Sequence, residues 1–231
     1  MSDDALNIDL QKVQQGFTIY HFQLYLSATN NDLEAALALY KANIQLCEAI
    51  YPSLHVMEMA LRNSIHLALS EKYGQDWFLG RKLDIDDYER EEIEKAIRRL
   101  SRRNYSPPSD RIVAEMTLGF WKSLIEKKSY ENAIWKPCCR KIFVAAKAKE
   151  LDAKRIRPQI KSIHRLRNKV FHHECICFRE EELYKTYESI NKFIFWINPQ
   201  LSIWLRKIDR FRVVSTDASN IIATKSRKPQ F

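Results

Sequence analysis

Apolar residues recur at three- and four-residue steps through most of the chain. Leu33, Leu37, Tyr40, Ile44 and Cys47 mark one face of an amphipathic helix, with Asn31 and Asp32 standing where its N-cap belongs. Pro52 predicts the opening of a second helix, whose face is Leu54, Met57, Leu61, Ile65 and Leu69 and whose stop is Gly74. Residues 87–103 place acids first and bases last, as the helix dipole prefers, and Pro107-Pro108 end them. Asp110 is the expected cap of 111–128, a segment too apolar on one side to face anything but a core. Pro137 predicts a short helical piece, and Pro158 the first turn of a helix over 158–172. A last long periodic segment covers 179–197, and Pro199 separates it from SIWLRKIDRF. From 213 to 231 the chain is expected to be a basic, flexible tail.

Strand-like alternation of useful length is absent from this pattern. Four Gly and seven Pro in 231 residues are too few for a protein of many tight turns. The expectation is an all-α fold, with residues 1–212 forming a single helical domain. A hydrophobic content of 45% excludes a disordered chain. No uncharged run is long enough to span a bilayer, and the acidic opening MSDDALNIDL lacks the regions of a secretory signal. Five cysteines, an odd number, fit a reducing compartment. Together these predict a cytoplasmic protein with no membrane partner.

Charge sharpens the picture because it is local. Residues 1–50 hold two lysines against six acids, whereas 136–169 hold twelve Lys and Arg against Glu150 and Asp152. That excess of ten accounts for the whole formal net charge of +9 of the chain. A concentrated positive field attracts a polyanion, with nucleic acid the leading candidate. The bland alternative is a solvated helix face that serves solubility.

Inside the basic stretch runs Ile163-His-Arg-Leu-Arg-Asn-Lys-Val-Phe-His-His-Glu174. Arg167 is the one arginine with a histidine, His172, five positions later. On an α-helix these two are about 140° apart and about 7.5 Å along the axis, while His164, Asn168 and His172 share one line. Such a group suits attack on a phosphodiester. Histidine moves a proton near neutral pH, arginine forks onto phosphate oxygens, and asparagine orients a hydroxyl or the imidazole. RNA supplies its own nucleophile, the 2′-hydroxyl, so neither metal nor cofactor is called for. The competing reading is purely structural: His172 and His173 cap a helix C-terminus, and Arg167 pairs with Glu58 or Glu174.

At these residues the chain resembles the Abi-like (abortive infection) family of the HEPN superfamily. Arg167-Asn168-Lys-Val-Phe-His172 matches the superfamily's Arg-Asn-x-x-x-His pattern, and His173 and Glu174 match extensions common in this branch. Further similarity covers ALALYKAN (36–43), LHVMEMALRNSI (54–65), AEMTLGFWKSL (114–124) and FWINPQLSIWL (195–205). The resemblance implies a HEPN-type helical bundle with additional peripheral helices, forming a homodimer in which two motif helices meet. It implies metal-independent RNA cleavage in phage defence, or as a toxin restrained by an antitoxin. Arg167, Asn168 and His172 take the catalytic positions. Arg165, Lys169, His164 and His173 would contact substrate, and Glu58, Arg62 and Glu174 would position the motif. Where related toxins carry an acceptor tyrosine two residues after the histidine, this chain has Glu174, so tyrosine modification is not expected. A dimer also makes chemical sense, since a two-fold axis brings two imidazoles, one acceptor and one donor, to one phosphate.

The alternative of another class is a non-catalytic RNA-binding or regulatory helical module. A DNA-binding regulator is disfavoured because no helix-turn-helix pattern stands out. Cys138-Cys139 and Cys175-x-Cys177 lack the spacing zinc sites favour. Glu58 and Arg62 are an i,i+4 pair, and Phe120, Trp121, Trp135, Phe195, Trp196 and Trp204 read as core aromatics.

Overall fold

Asp32 starts the longest helix: its carboxylate accepts the N–H of Ala35 at 3.0 Å, as an N-cap does. Asn30 and Asn31, with φ of 53° and 65°, turn the chain into it. The computed structural model describes residues 9–17, 19–80, 82–101 and 108–226. Its helices in chain order are α1 (Leu10–Gln15), α2 (Ile19–Ala28), α3 (Leu33–Tyr73), α4 (Asp87–Ser101), α5 (Ser109–Glu115), α6 (Leu118–Glu126), α7 (Lys136–Ile142), α8 (Ala153–Phe171), α9 (Glu180–Ile197), α10 (Pro199–Leu205) and α11 (Phe211–Lys225). A π-helical turn, Glu131–Trp135, feeds directly into α7. No strand occurs among the described residues, and the fold is all-α.

The described residues divide into two compact units. Unit one comprises the described parts of Met1–Pro52, Asn168–Lys185 and Asp209–Phe231. Its core is aromatic at one end, where Tyr40 meets Phe22 and Tyr25 edge to face at 5.8 and 5.2 Å. Leu39, Leu46 and Ile50 of α3 continue it, with Phe211, Ala218 and Ile222 of α11 also buried.

Unit two comprises Ser53–Arg167 and Thr186–Ile208. Trp77, Phe120 and Trp121 form one aromatic cluster, and Phe143, Phe193 and Trp196 another. Leu61, Ile65 and Leu69 of α3 and Ile156, Ile160 and Ile163 of α8 are buried. Each such side chain contributes about 1.5–3 kcal/mol. The fully buried Glu89 is paired through one oxygen, its Oε2 accepting from Lys127 Nζ at 2.7 Å and Tyr130 Oη at 2.9 Å.

Several predicted boundaries move. The break at Pro52 is absent, because the buried stripe Leu39, Leu46 and Ile50 runs in phase into Leu54, Met57 and Leu61 and α3 continues through it. Asp110 is not a cap: Pro108 precedes α5, and Thr117 caps α6 through Oγ1, which accepts from Phe120 N at 3.3 Å. The motif helix opens at Ala153 rather than 158, since the Asp152 carboxylate accepts the N–H of Lys154 at 3.0 Å and Ile156 already belongs to the buried stripe. The expected tail is a helix through Lys225. Its buried positions Phe211, Ala218 and Ile222 keep helical spacing within a polar composition, and Asp209 Oδ1 accepts from Phe211 N at 2.9 Å. Residues 227–231 of that segment lie outside the described residues. Phe195 and Trp204, expected in the core, are 42% and 51% exposed, whereas Phe120, Trp121, Trp135 and Trp196 are buried.

Candidate active site

The site rests on the amphipathicity of α8. Ile156, Ile160, Ile163, Leu166 and Val170 are buried along one side. On the opposite side Lys154, Lys161 and Arg165 are exposed, and the same line leads to His172, also exposed, one residue past the last helical position. Asn168 and Lys169 are half-buried at its edges. Lys154, Lys161 and Arg165 thus form a row of exposed cations on α8 within unit two. Elsewhere in the basic stretch acids neutralise part of the charge: Arg157 pairs with Glu131, Lys141 with Glu71, and Arg155 with Asp152 at 3.7 Å.

Arg167 falls toward the buried side of α8, about 100° from Asn168. Its Nε donates to Glu58 Oε2 at 3.2 Å, and the two side chains are only 27% and 25% exposed. Glu58 therefore holds the motif arginine, while its predicted partner Arg62 donates elsewhere, to Asn63 Oδ1 at 3.1 Å and the Ala114 carbonyl at 3.4 Å. Burial lowers the Arg62 pKa, and the nearby Glu58 charge opposes that shift. His164 is half-buried against Gly119, where an added Cβ would lie 3.6 Å from its Nε2. Burial, then the charges of Lys122 and Arg167, push its pKa below the usual 6.5, with Glu126 and Glu58 opposing. Arg165 donates to Ser162 Oγ at 3.2 Å from the exposed face.

The end of α8 explains the doubled histidine. His173 has φ of 60°, and its N–H donates to the Val170 carbonyl at 3.4 Å while Glu174 N–H donates to the Lys169 carbonyl at 2.9 Å. These two bonds define a Schellman motif with His172 at the C-cap and His173 in the left-handed position that glycine usually fills. Both imidazoles and the Glu174 side chain are exposed. Capping is done by backbone N–H groups, which leaves His172 displayed at a rigid helix end. Next to it the rings of Phe171 and Tyr51 lie 5.6 Å apart.

The sequence gives no warning of Asn43, which fixes the turn beyond the motif. Buried on α3, its Oδ1 accepts the N–H groups of Ile176 at 2.8 Å and Cys177 at 3.2 Å, and its Nδ2 donates to the Glu174 carbonyl at 3.4 Å. A lone Asn at a stripe-flanking position carries no signal by itself. The predicted residues thus fall into groups: Arg167, Glu58, Arg62, His164 and Arg165 in unit two, and Asn168, Lys169, His172, His173 and Glu174 in unit one. Among the described residues no group of three or more His, Cys, Asp and Glu side chains is arranged to hold a metal ion, and no helix is long and apolar enough to cross a membrane.

Comparison with models of protein families, with curated proteins and with solved structures finds no match to this chain.

Proposed function

We propose that the protein is a HEPN-type, metal-independent endoribonuclease that acts as a homodimer in the cytoplasm, in phage defence or as a restrained toxin. Arg167, oriented by Glu58, binds the scissile phosphate, and Asn168 orients the reacting groups. One His172 takes the proton of the 2′-hydroxyl as it attacks phosphorus. The His172 of a second copy protonates the departing 5′-oxygen, leaving a 2′,3′-cyclic phosphate and a 5′-hydroxyl. Lys154, Lys161, Arg165 and Lys169 attract the RNA backbone, and restraint comes from an antitoxin or from substrate availability.

The observation that carries this reading is the exposure of His172 at a Schellman-capped helix end. A histidine serving only as packing would be covered. The second reading, an RNA-binding module without chemistry, draws on the Glu58–Arg167 pair, which gives the arginine a structural task. Purified protein, labelled RNA and EDTA separate the two. Cyclic-phosphate ends are expected of the nuclease, whereas a salt-sensitive complex with intact RNA would establish the binder.

A further inference from the structure

Just beyond the motif, unit one gathers three of the five cysteines. Cys175 and Cys177 flank Ile176 in the turn held by Asn43, with their sulfurs 3.5 Å apart. Cys47 of α3 lies within electrostatic reach of both. All are reduced thiols; Cys175 and Cys47 are half-buried, and Cys177 is 0% exposed. Tyr25, 1% exposed, packs its ring against Phe178 at 5.8 Å. Its buried hydroxyl meets no geometrically sound hydrogen-bond partner among the described residues, and the polar group beside it is the Cys175 sulfur.

An orphaned buried hydroxyl calls for an acceptor, and a sulfur anion at Cys175 provides one. The Cys177 thiol 3.5 Å away, with the Tyr25 hydroxyl beside it, outweighs burial and holds the Cys175 thiol below the usual thiol range. The neighbours go the other way. Cys177 rises through its bond to Cys175 and through burial, and Cys47 is pushed up to about 12, chiefly by burial. Cys138 and Cys139, elsewhere in the chain, also rise by burial. One thiolate beside a protonated thiol is the asymmetry of an attacking and a resolving sulfur.

We propose that Cys175 and Cys177 are a covalent modification site, a thiol pair that a peroxide oxidises to a disulfide at the foot of the motif helix. The Cys175 thiolate attacks one oxygen of hydrogen peroxide or an alkyl hydroperoxide. The S–O bond forms as the O–O bond breaks, the sulfur loses two electrons to the peroxide, and the departing hydroxide or alkoxide takes a proton from solvent. The Cys177 sulfur then displaces the sulfenic oxygen. The S–S bond forms, the S–O bond breaks, and the oxygen leaves as water with the Cys177 proton. Two thiols and one peroxide give one disulfide and two molecules of water, or one of water and one of alcohol.

Closure draws the sulfurs from 3.5 Å to about 2.05 Å. It therefore tightens the backbone that Asn43 holds at residues 174–177, immediately after the Schellman cap that displays His172. A change in RNA cleavage on oxidation follows from this and rests on the ribonuclease reading; the bridge itself does not.

The test uses the full chain. At neutral pH, iodoacetamide should label Cys175 at least about tenfold faster than Cys138 or Cys139, a ratio set by thiolate fraction. After hydrogen peroxide, peptide mapping should show a Cys175–Cys177 bridge, and Cys177→Ser should leave a sulfenic acid at Cys175 that dimedone captures. Equal labelling of Cys175 and Cys138 in the unaltered chain, a bridge from Cys175 to Cys47, or two thiols still alkylatable after peroxide would each overturn the proposal. RNA cleavage by reduced and oxidised protein is measured in parallel. Different rates support coupling to the motif, and equal rates with the bridge formed refute it. No cleavage by the reduced chain removes the ribonuclease reading while the mass result stands.

Discussion

Glu58 Oε2 sits 3.2 Å from Arg167 Nε, with both side chains about three-quarters withdrawn from solvent. This pair joins α3 to the first residue of the motif within unit two. A double-mutant cycle with Glu58→Gln and Arg167→Lys, read by urea denaturation, should give a coupling energy of about 1 kcal/mol. Simple additivity would show that the pair is incidental.

His173 occupies a left-handed backbone position, where most side chains are strained. His173→Gly should stabilise the protein by roughly 0.5–1 kcal/mol, and His173→Val should destabilise it by at least as much. Denaturation midpoints check the sign. An RNA affinity unchanged in His173→Gly would assign the residue to the cap alone and remove it from the substrate-contacting set.

His164 makes stability depend on pH in a definite direction. Its pKa in the folded protein lies below the usual 6.5, chiefly through burial, so the unfolded chain binds more protons between the two values. The contribution is fully present above 6.5 and is lost as pH falls from there through the folded-state pKa. His66, also lowered by burial, adds to the same slope. His164→Gln should flatten the fall of the urea midpoint with acidity in that window, and an unchanged slope would contradict the assignment.

Much of the fold was legible because it follows from local rules. The Gly74 stop with φ of 98° and the acid-to-base order of α4 are visible in sequence and present in structure, whereas the face expected from Leu33 through Cys47 is not the buried one: α3 buries Ala36, Leu39, Ala42, Leu46 and Ile50 and leaves Ile44 50% exposed. Prolines misled, since tertiary burial of an in-phase stripe carries α3 through Pro52 and α8 through Pro158. α11 escaped notice because its three buried residues are diluted by Ser, Thr, Asn and Asp. Within the site, the Arg167–Glu58 pair and the capping role of His173 follow from charge and position along a helix. Asn43 and Tyr25 depend on contacts across more than a hundred residues, which no spacing rule reaches.

The central claim is that His172 moves a proton at an RNA phosphodiester. Its most direct test is cleavage of labelled RNA in EDTA by the His172→Ala variant, with oligomeric state and RNA binding measured on the same sample. The account predicts an intact dimer that still binds RNA and produces no 2′,3′-cyclic phosphate ends. Cleavage at the rate of the unaltered protein would contradict it.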